Sequence, residues 1–189
     1  MALLGEIALM KRIGIIVVFA ALLIAGCDRQ GKQQALLKGF YDEYLALSCP
    51  PSGECPDWVE VQRVVQRYLT PELFFDWELS HNAELDEWID YDMFIQGQDC
   101  WPGIRVESIK RIEKTQWYEV LVAQSEMDNP EKIIKREIVF YHLVLGDDGQ
   151  WLIDCIDDGF NRLGNAPADE DAILKKNKDY IESTILIIT

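Results

Sequence analysis

Basic residues are scarce in this sequence. Its 189 residues include 18 Lys and Arg against 33 Asp and Glu, which gives a formal net charge of -15 at pH 7. Proteins that bind nucleic acid need an excess of positive charge to neutralise phosphates, and adsorption to anionic lipid needs the same. The composition argues against both partners, and it favours a well-solvated acidic surface or one that meets a basic protein.

Sequence signatures of catalysis and metal binding are also missing. The chain has no HExxH motif, no glycine-rich phosphate loop and no catalytic Ser-His-Asp order. None of its acidic segments has the spacing of a calcium loop. Zinc is disfavoured because the cysteines lack CxxC spacing and the histidines are not clustered. We therefore predict a protein that is not an enzyme and carries no cofactor or metal.

The apolar run near the N terminus is too short for a membrane span. Residues 13–26 are preceded by Lys11 and Arg12, whereas a spanning helix needs about 20 apolar residues. A basic start followed by a short apolar core is typical of a secretory signal. The end of the run, "IAGC" at residues 24–27, resembles the bacterial lipobox. That resemblance implies lipid on the sulfur of Cys27 and cleavage before it; the alternative is an uncleaved anchor.

Lipidation would decide where the protein resides. We predict a signal peptide over residues 1–26 and a tether over residues 27–34. Because two or more acyl chains give stable anchoring, we also predict a location at the periplasmic face of the bacterial envelope. Met10, directly before Lys11 and Arg12, is an alternative start of the signal. Asp28 resembles an inner-membrane retention signal, and the outer membrane remains an alternative.

Four further cysteines are predicted to form disulfides, since an even count in an exported chain is typical of them. Three pairings exist. We favour Cys49–Cys55, because "CPPSGEC" suits a tight turn, together with Cys100–Cys155, which would close a long loop.

Two periodicities divide the remaining sequence. Apolar residues three and four apart predict helices in "QQALLKGFYDEYLALS" and "WVEVQRVVQRYLT", and Asp57 is the predicted N-cap of the second. A third helix is predicted to begin at Pro71, with Thr70 as its N-cap. Alternation then predicts strands in "IRVESIKRI", "WYEVLVAQSE", "IIKREIVFYHLVL" and "QWLIDCID". We predict an α+β domain over residues 35–158, in which N-terminal helices pack on a curved, cone-like antiparallel sheet of about four strands. Residues 159–189 are predicted to be a linker and a C-terminal helix.

Four segments in order, "FYDEYL", "RYLTPELFFDW", "YDMFIQGQD" and "GQWLIDCIDD", resemble an uncharacterised family of small exported bacterial proteins. That family is described as similar to the nuclear-transport-factor-2-like cone fold. Met93 stands where the family commonly has proline, while Asp92, Phe94, Gln98 and Asp99 fit the motif. The resemblance implies a fold and an exported setting, and no reaction.

Cone folds can host enzymes that use an Asp–His or Asp–Tyr pair in an apolar pocket. The candidate pocket residues here are Tyr91, Asp92, Gln98, Asp99 and His142. We favour structural roles: Asp92 and Asp99 would bond neighbouring backbone N–H groups, and His142 would be a structural or surface histidine.

The function we predict is a membrane-anchored binding or adaptor module for another envelope protein. Two alternatives stay open. One is a small-ligand binder or enzyme that uses the cone pocket. The other is an immunity-type inhibitor of a secreted toxin.

Overall fold

The computed structural model describes most of the chain beyond the predicted signal peptide. The described residues are 29–49, 57–81, 89, 91–97, 103–126 and 128–185. Contacts divide the chain into two units, residues 1–35 and 36–189. Among the described residues, no helix is long and apolar enough to cross a membrane. The predictions for residues 1–26, Cys27, Cys55, Gln98, Asp99 and Cys100 lie outside the described residues.

Helices form where the apolar spacing predicts them. The first helix, α1, covers residues 29–48, so the polar tether predicted over residues 27–34 is helical from residue 29 onward. Helix α2 is Trp58–Tyr68 and helix α3 is Pro71–Ser80. The side chain of Asp57 accepts from the backbone N–H of Val59, and that of Thr70 accepts from Leu73. Both predicted N-caps are therefore confirmed.

The strands form one antiparallel sheet in which each strand pairs with its neighbour along the chain, in the order β1-β2-β3-β4-β5. Their bounds are Ile104–Arg111, Trp117–Glu126, Asn129–Leu145, Trp151–Asp157 and Arg162–Gly164. The α+β class is confirmed, but within the described residues the sheet has five strands where about four were predicted. The additional strand β5 lies inside the segment predicted to be a linker. Because Gly164 has a φ of +78°, it adopts a conformation that favours glycine.

The two faces of the sheet carry separate apolar clusters. Tyr118, Tyr141 and Ile156 form a cross-strand row, and they pack with apolar side chains from α1, α2 and α3. The adjacent row, Trp117, His142 and Cys155, points to the opposite face because successive side chains alternate across a strand.

The last helix, α4 (Ala168–Ile185), covers the second face. Leu174 is its buried anchor, with 2% exposure, and packs in a cluster with Ile112, Trp117, Phe140 and Cys155. The predicted C-terminal helix is therefore present and joined to the sheet by a small apolar core.

Bulges in β1 and β4 change which face a side chain reaches. In β1, Val106 pairs with Val122 and Ser108 with Leu121, so Glu107 is an extra residue. In β4, His142 pairs with Cys155 but the next pair is Leu143 with Ile153, so Asp154 is extra. The first bulge brings Ile109 onto the same face as Val106. The second leaves Asp154 with no residue opposite it on β3.

Candidate functional site

Asp92 begins a tight loop that closes when its backbone N–H donates to the carbonyl of Gly97 at 2.9 Å. Its carboxylate accepts from the backbone N–H of Phe94 at 2.8 Å and from the hydroxyl of Tyr44. Burial raises the pKa of the carboxyl to about 6. These contacts match the turn-stabilising role favoured for Asp92.

Aromatic side chains fill the space around this carboxyl. The hydroxyl of Tyr41 donates to the carbonyl of Phe94 at 2.8 Å and lies 2.8 Å from that of Tyr141. The ring of Phe94 lies 4.9 Å from those of Phe40 and Tyr44, centroid to centroid. Burial raises the pKa of all three tyrosines above the ordinary value. They therefore stay neutral, and they hold the core together through hydroxyl contacts rather than lining an open pocket.

Tyr91, at the start of the same loop, contacts the turn between β4 and β5. Its hydroxyl donates to the carboxylate of Asp158 and accepts from the side-chain amide of Asn161 at 2.6 Å. Gln96 adds two bonds, to the carbonyls of Ile138 at 2.9 Å and Asp158 at 2.6 Å. The loop of residues 91–97 is thus fastened to β3 and to the turn between β4 and β5.

The sequence analysis placed His142 in one candidate pocket with Tyr91 and Asp92, but the structure does not bring the three together. It lies in the row that faces α4, while its neighbour Tyr141 faces the aromatic core. The His142 side chain is only 3% exposed; its Nδ1 lies 2.7 Å from Asp154, and its Nε2 lies 3.3 Å from Glu170 on α4. The candidate pocket is therefore not formed by these residues together, because strand alternation puts the adjacent residues Tyr141 and His142 on opposite faces.

The favoured disulfide Cys100–Cys155 is also wrong, because Cys155 is a free, buried cysteine. Its sulfur accepts from Nε of Arg162 at 3.2 Å. The side chain lies in the apolar cluster under α4. Burial raises the pKa of the thiol to about 12, and the nearby Arg162 opposes that rise only in part. Cys49 is disulfide-bonded, and its partner lies outside the described residues.

The groups under α4 form a polar cluster that sequence reasoning missed. The Trp117 ring lies 5.3 Å from the His142 ring and 5.3 Å from the guanidinium of Arg162. Arg162 also pairs with Asp171 at 2.8 Å, and Glu170 accepts from the backbone N–H of Gln116. The only sequence signal for this cluster was the acidic start of α4.

This cluster is better suited to holding α4 than to chemistry. A thiol whose pKa is about 12 is protonated near neutral pH and is a poor nucleophile. The imidazole is enclosed between two carboxylates rather than facing a space where a substrate could bind. Within the described residues, no group of three or more His, Cys, Asp or Glu side chains is arranged to hold a metal ion.

Helices α2 and α3 also present large apolar side chains to solvent. We define the α2–α3 patch as Trp58, Val59, Phe75 and Leu79, which are 39–59% exposed. Trp58 stacks on Trp77 with centroids 5.6 Å apart, so the start of α2 lies beside the end of α3. Phe75 and Leu79 are neighbours on α3 because they are four residues apart.

Comparison with known proteins adds no family or neighbour to this description. No protein-family model, curated protein or solved structure matches the chain.

Proposed function

We propose that this chain is a lipid-anchored protein of the bacterial cell envelope that binds another envelope protein through the α2–α3 patch. The observation that carries the proposal is the pair of exposed apolar side chains on α3, Phe75 and Leu79, which are neighbours on one side of the helix. Aromatic side chains of this kind contribute much of the binding energy at protein interfaces. Adjacent exposed apolar groups are typical of surfaces that are covered by a partner.

The charge around the patch indicates the chemistry of that partner. Helices α2 and α3 carry two arginines, and both are paired: Arg63 with Glu60, and Arg67 with Glu43. Helix α3 has no basic residue, and its Glu72, Asp76 and Glu78 form no ion pair with a described residue. A partner that presents an apolar surface bordered by Lys or Arg would be complementary in both respects.

The packing of the core supports binding over catalysis. Asp92 and Tyr91 were both candidate pocket residues. Their side chains instead form hydrogen bonds that hold the loop of residues 91–97. The rings around Asp92 are in mutual contact. A ligand would have to displace these rings, whereas a protein partner could use the α2–α3 patch as it stands.

The anchor is the part of the proposal that comes from sequence. The resemblance of residues 24–27 to a lipobox supports acylation of Cys27, and Asp28 favours retention at the periplasmic face of the inner membrane. The proposed relationship to the family with the cone-like fold is supported by three helices on one face of an antiparallel sheet.

The experiment is chemical crosslinking in cells that produce the tagged full-length chain. We compare the unaltered chain with a Phe75→Ser, Leu79→Ser double variant and with Ile134→Ser as a matched control, since Ile134 is exposed to a similar extent on β3. We expect one basic envelope protein to be enriched with the unaltered and control chains, and its recovery to fall about tenfold or more with the double variant.

Equal recovery from all three chains would contradict the proposal, provided that circular dichroism shows the double variant to be folded. Loss of recovery with Ile134→Ser alone would place the binding surface on the sheet instead.

A further inference from the structure

A groove lies between α4 and the turn that joins β1 to β2. Its volume is about 640 Å³, which lies within the roughly 300–1,000 Å³ typical of small-molecule sites. Four cationic side chains line it: Lys110, Arg111, Lys114 and Lys176. Two carboxylates, those of Glu113 and Glu119, line it as well. The groove therefore has an excess of positive charge, although the whole chain carries a formal net charge of -15.

The cations are only partly neutralised by protein groups. Lys110 lies 3.9 Å from Glu119, at the limit of an ion pair. Lys114 and Lys176 form no ion pair with any described residue. Positive charges brought together in a concave surface attract anions more strongly than isolated surface charges do.

The floor of the groove is apolar. Ile112 is buried beneath it, and Ile173 of α4 lines it. Tyr180 stands at its edge and is 71% exposed. Apolar lining beside cationic groups suits a ligand that has an anionic head and an apolar body.

Both walls are held in place before any ligand arrives. Nε of Arg111 donates to the carbonyl of Thr115 at 2.7 Å, and the hydroxyl of Thr115 donates to the carbonyl of Ile112 at 2.9 Å. On the other side, Leu174 and the contact of Glu170 with the backbone of Gln116 fasten α4. A site formed in advance loses less conformational entropy when a ligand binds.

We propose that this groove binds an organic anion, a phosphate monoester or carboxylate that carries an aromatic or aliphatic group. The anionic head lies among Lys110, Lys114 and Lys176, and the apolar part lies against Ile112, Ile173 and the ring of Tyr180. A free metabolite and the headgroup of an anionic lipid share this chemistry. The inference is independent of the α2–α3 patch, which lies on helices that pack against the other face of the sheet.

The test is a titration of the full chain in non-ionic detergent micelles, followed by ligand-observed NMR. The probes are phenyl phosphate, inorganic phosphate and phenol. We expect phenyl phosphate to saturate with a Kd of about 1 mM or tighter, and to bind more tightly than either probe that has only one of its two parts. Added salt should weaken the binding.

Two variants with the same charge change isolate the groove. Lys176→Glu alters a lining residue, whereas Lys175→Glu alters an exposed neighbour on α4 that does not line the groove. We expect Lys176→Glu to weaken phenyl phosphate binding by about three- to tenfold, Lys114→Glu to do the same, and Lys175→Glu to leave it near the unaltered value.

The proposal is overturned if phenyl phosphate does not saturate, if phenol binds equally well, or if Lys175→Glu weakens binding as much as Lys176→Glu. Phosphatidic acid added to the micelles then identifies the source of the ligand. Competition with phenyl phosphate supports a lipid headgroup, and lack of competition supports a free anion.

Discussion

At the scale of single residues, Asp92 links packing to pH. Its folded-state pKa of about 6 lies above the ordinary 3.8, so the folded protein binds a proton between about pH 4 and 6 that the unfolded chain has released. Stability must therefore fall as pH rises through this window. A shift of this size corresponds to about 3 kcal/mol, and since Asp92 keeps some contact with solvent we expect about 2 kcal/mol.

We predict that Asp92→Asn removes this dependence. The amide cannot ionise, and its oxygen can still accept from the backbone N–H of Phe94. Urea unfolding at pH 4 and pH 7 should show a decrease in the free energy of unfolding that is about 2 kcal/mol smaller in the variant. Asp179→Asn, an equal charge change at an exposed position on α4, should keep the full decrease. An equal decrease in the free energy of unfolding for both variants would contradict the assignment to Asp92.

Cys155 shows that an even number of cysteines does not establish which of them form disulfides. An even number permits complete pairing, but it does not say which sulfurs meet, and Cys155 lies inside the cluster under α4 beside Arg162. Burial and the raised pKa of the thiol both make it unreactive in the folded chain.

We predict that Cys155 is alkylated only after unfolding. The non-reduced full chain is treated with iodoacetamide with and without guanidinium, and the peptide containing Cys155 is quantified by mass spectrometry. Modification should be slow in the folded protein and complete in the denatured one. A peptide in which Cys155 is joined to another cysteine would show that the free thiol is incorrect.

At the scale of secondary-structure elements, the features that depend on neighbouring residues were predicted from the sequence. The features that depend on pairing between distant strands were not. The caps at Asp57 and Thr70 and the start at Pro71 depend on neighbouring residues, so the sequence was sufficient to identify them. Strand β5 was missed because three residues carry no periodicity and form a strand only by pairing with β4. The bulge at Asp154 was missed for a similar reason, since it is defined by the partner strand.

Over residues 168–181 of α4, the part whose side chains the structure describes, Leu174 is the one fully buried side chain. This side chain and polar contacts hold the helix, which gives a prediction for the element. Leu174→Ala should weaken its docking by about 2–4 kcal/mol through loss of packing against the cluster of Ile112, Trp117, Phe140 and Cys155. Trypsin should then cleave α4 faster, and Cys155 should become alkylated without denaturant. Lys175→Ala, at an exposed position next to Leu174, should change only cleavage at its own site. Unchanged alkylation in Leu174→Ala would mean that other contacts hold the helix.

At the scale of the whole molecule, the sequence predicted the class of fold more successfully than the site. Periodicity separated the helices from the strands. The candidate site combined Asp92 with His142, yet the sheet separates them by placing Tyr141 and His142 on opposite faces. Patterns along one strand could not show which face α4 would cover.

The proposed anchor gives a prediction for the whole chain. Cys27→Ser should remove the acylation site, so the chain should leave the membrane fraction. Two or more acyl chains are enough for stable anchoring, whereas the acidic surface offers no electrostatic substitute. Fractionation and intact mass together provide the measurement: the unaltered chain should lack residues 1–26 and carry acyl groups. Membrane retention of Cys27→Ser would contradict the lipid anchor.

The most direct measurement for the central claim is photocrosslinking in living cells from single positions. A photoreactive amino acid replaces Phe75 in the α2–α3 patch or Ile134 on β3, two positions of nearly equal exposure. The proposal predicts a discrete adduct with one envelope protein from position 75 and none from position 134. The same adduct from both positions, or none from position 75 in a folded and membrane-bound chain, would contradict it.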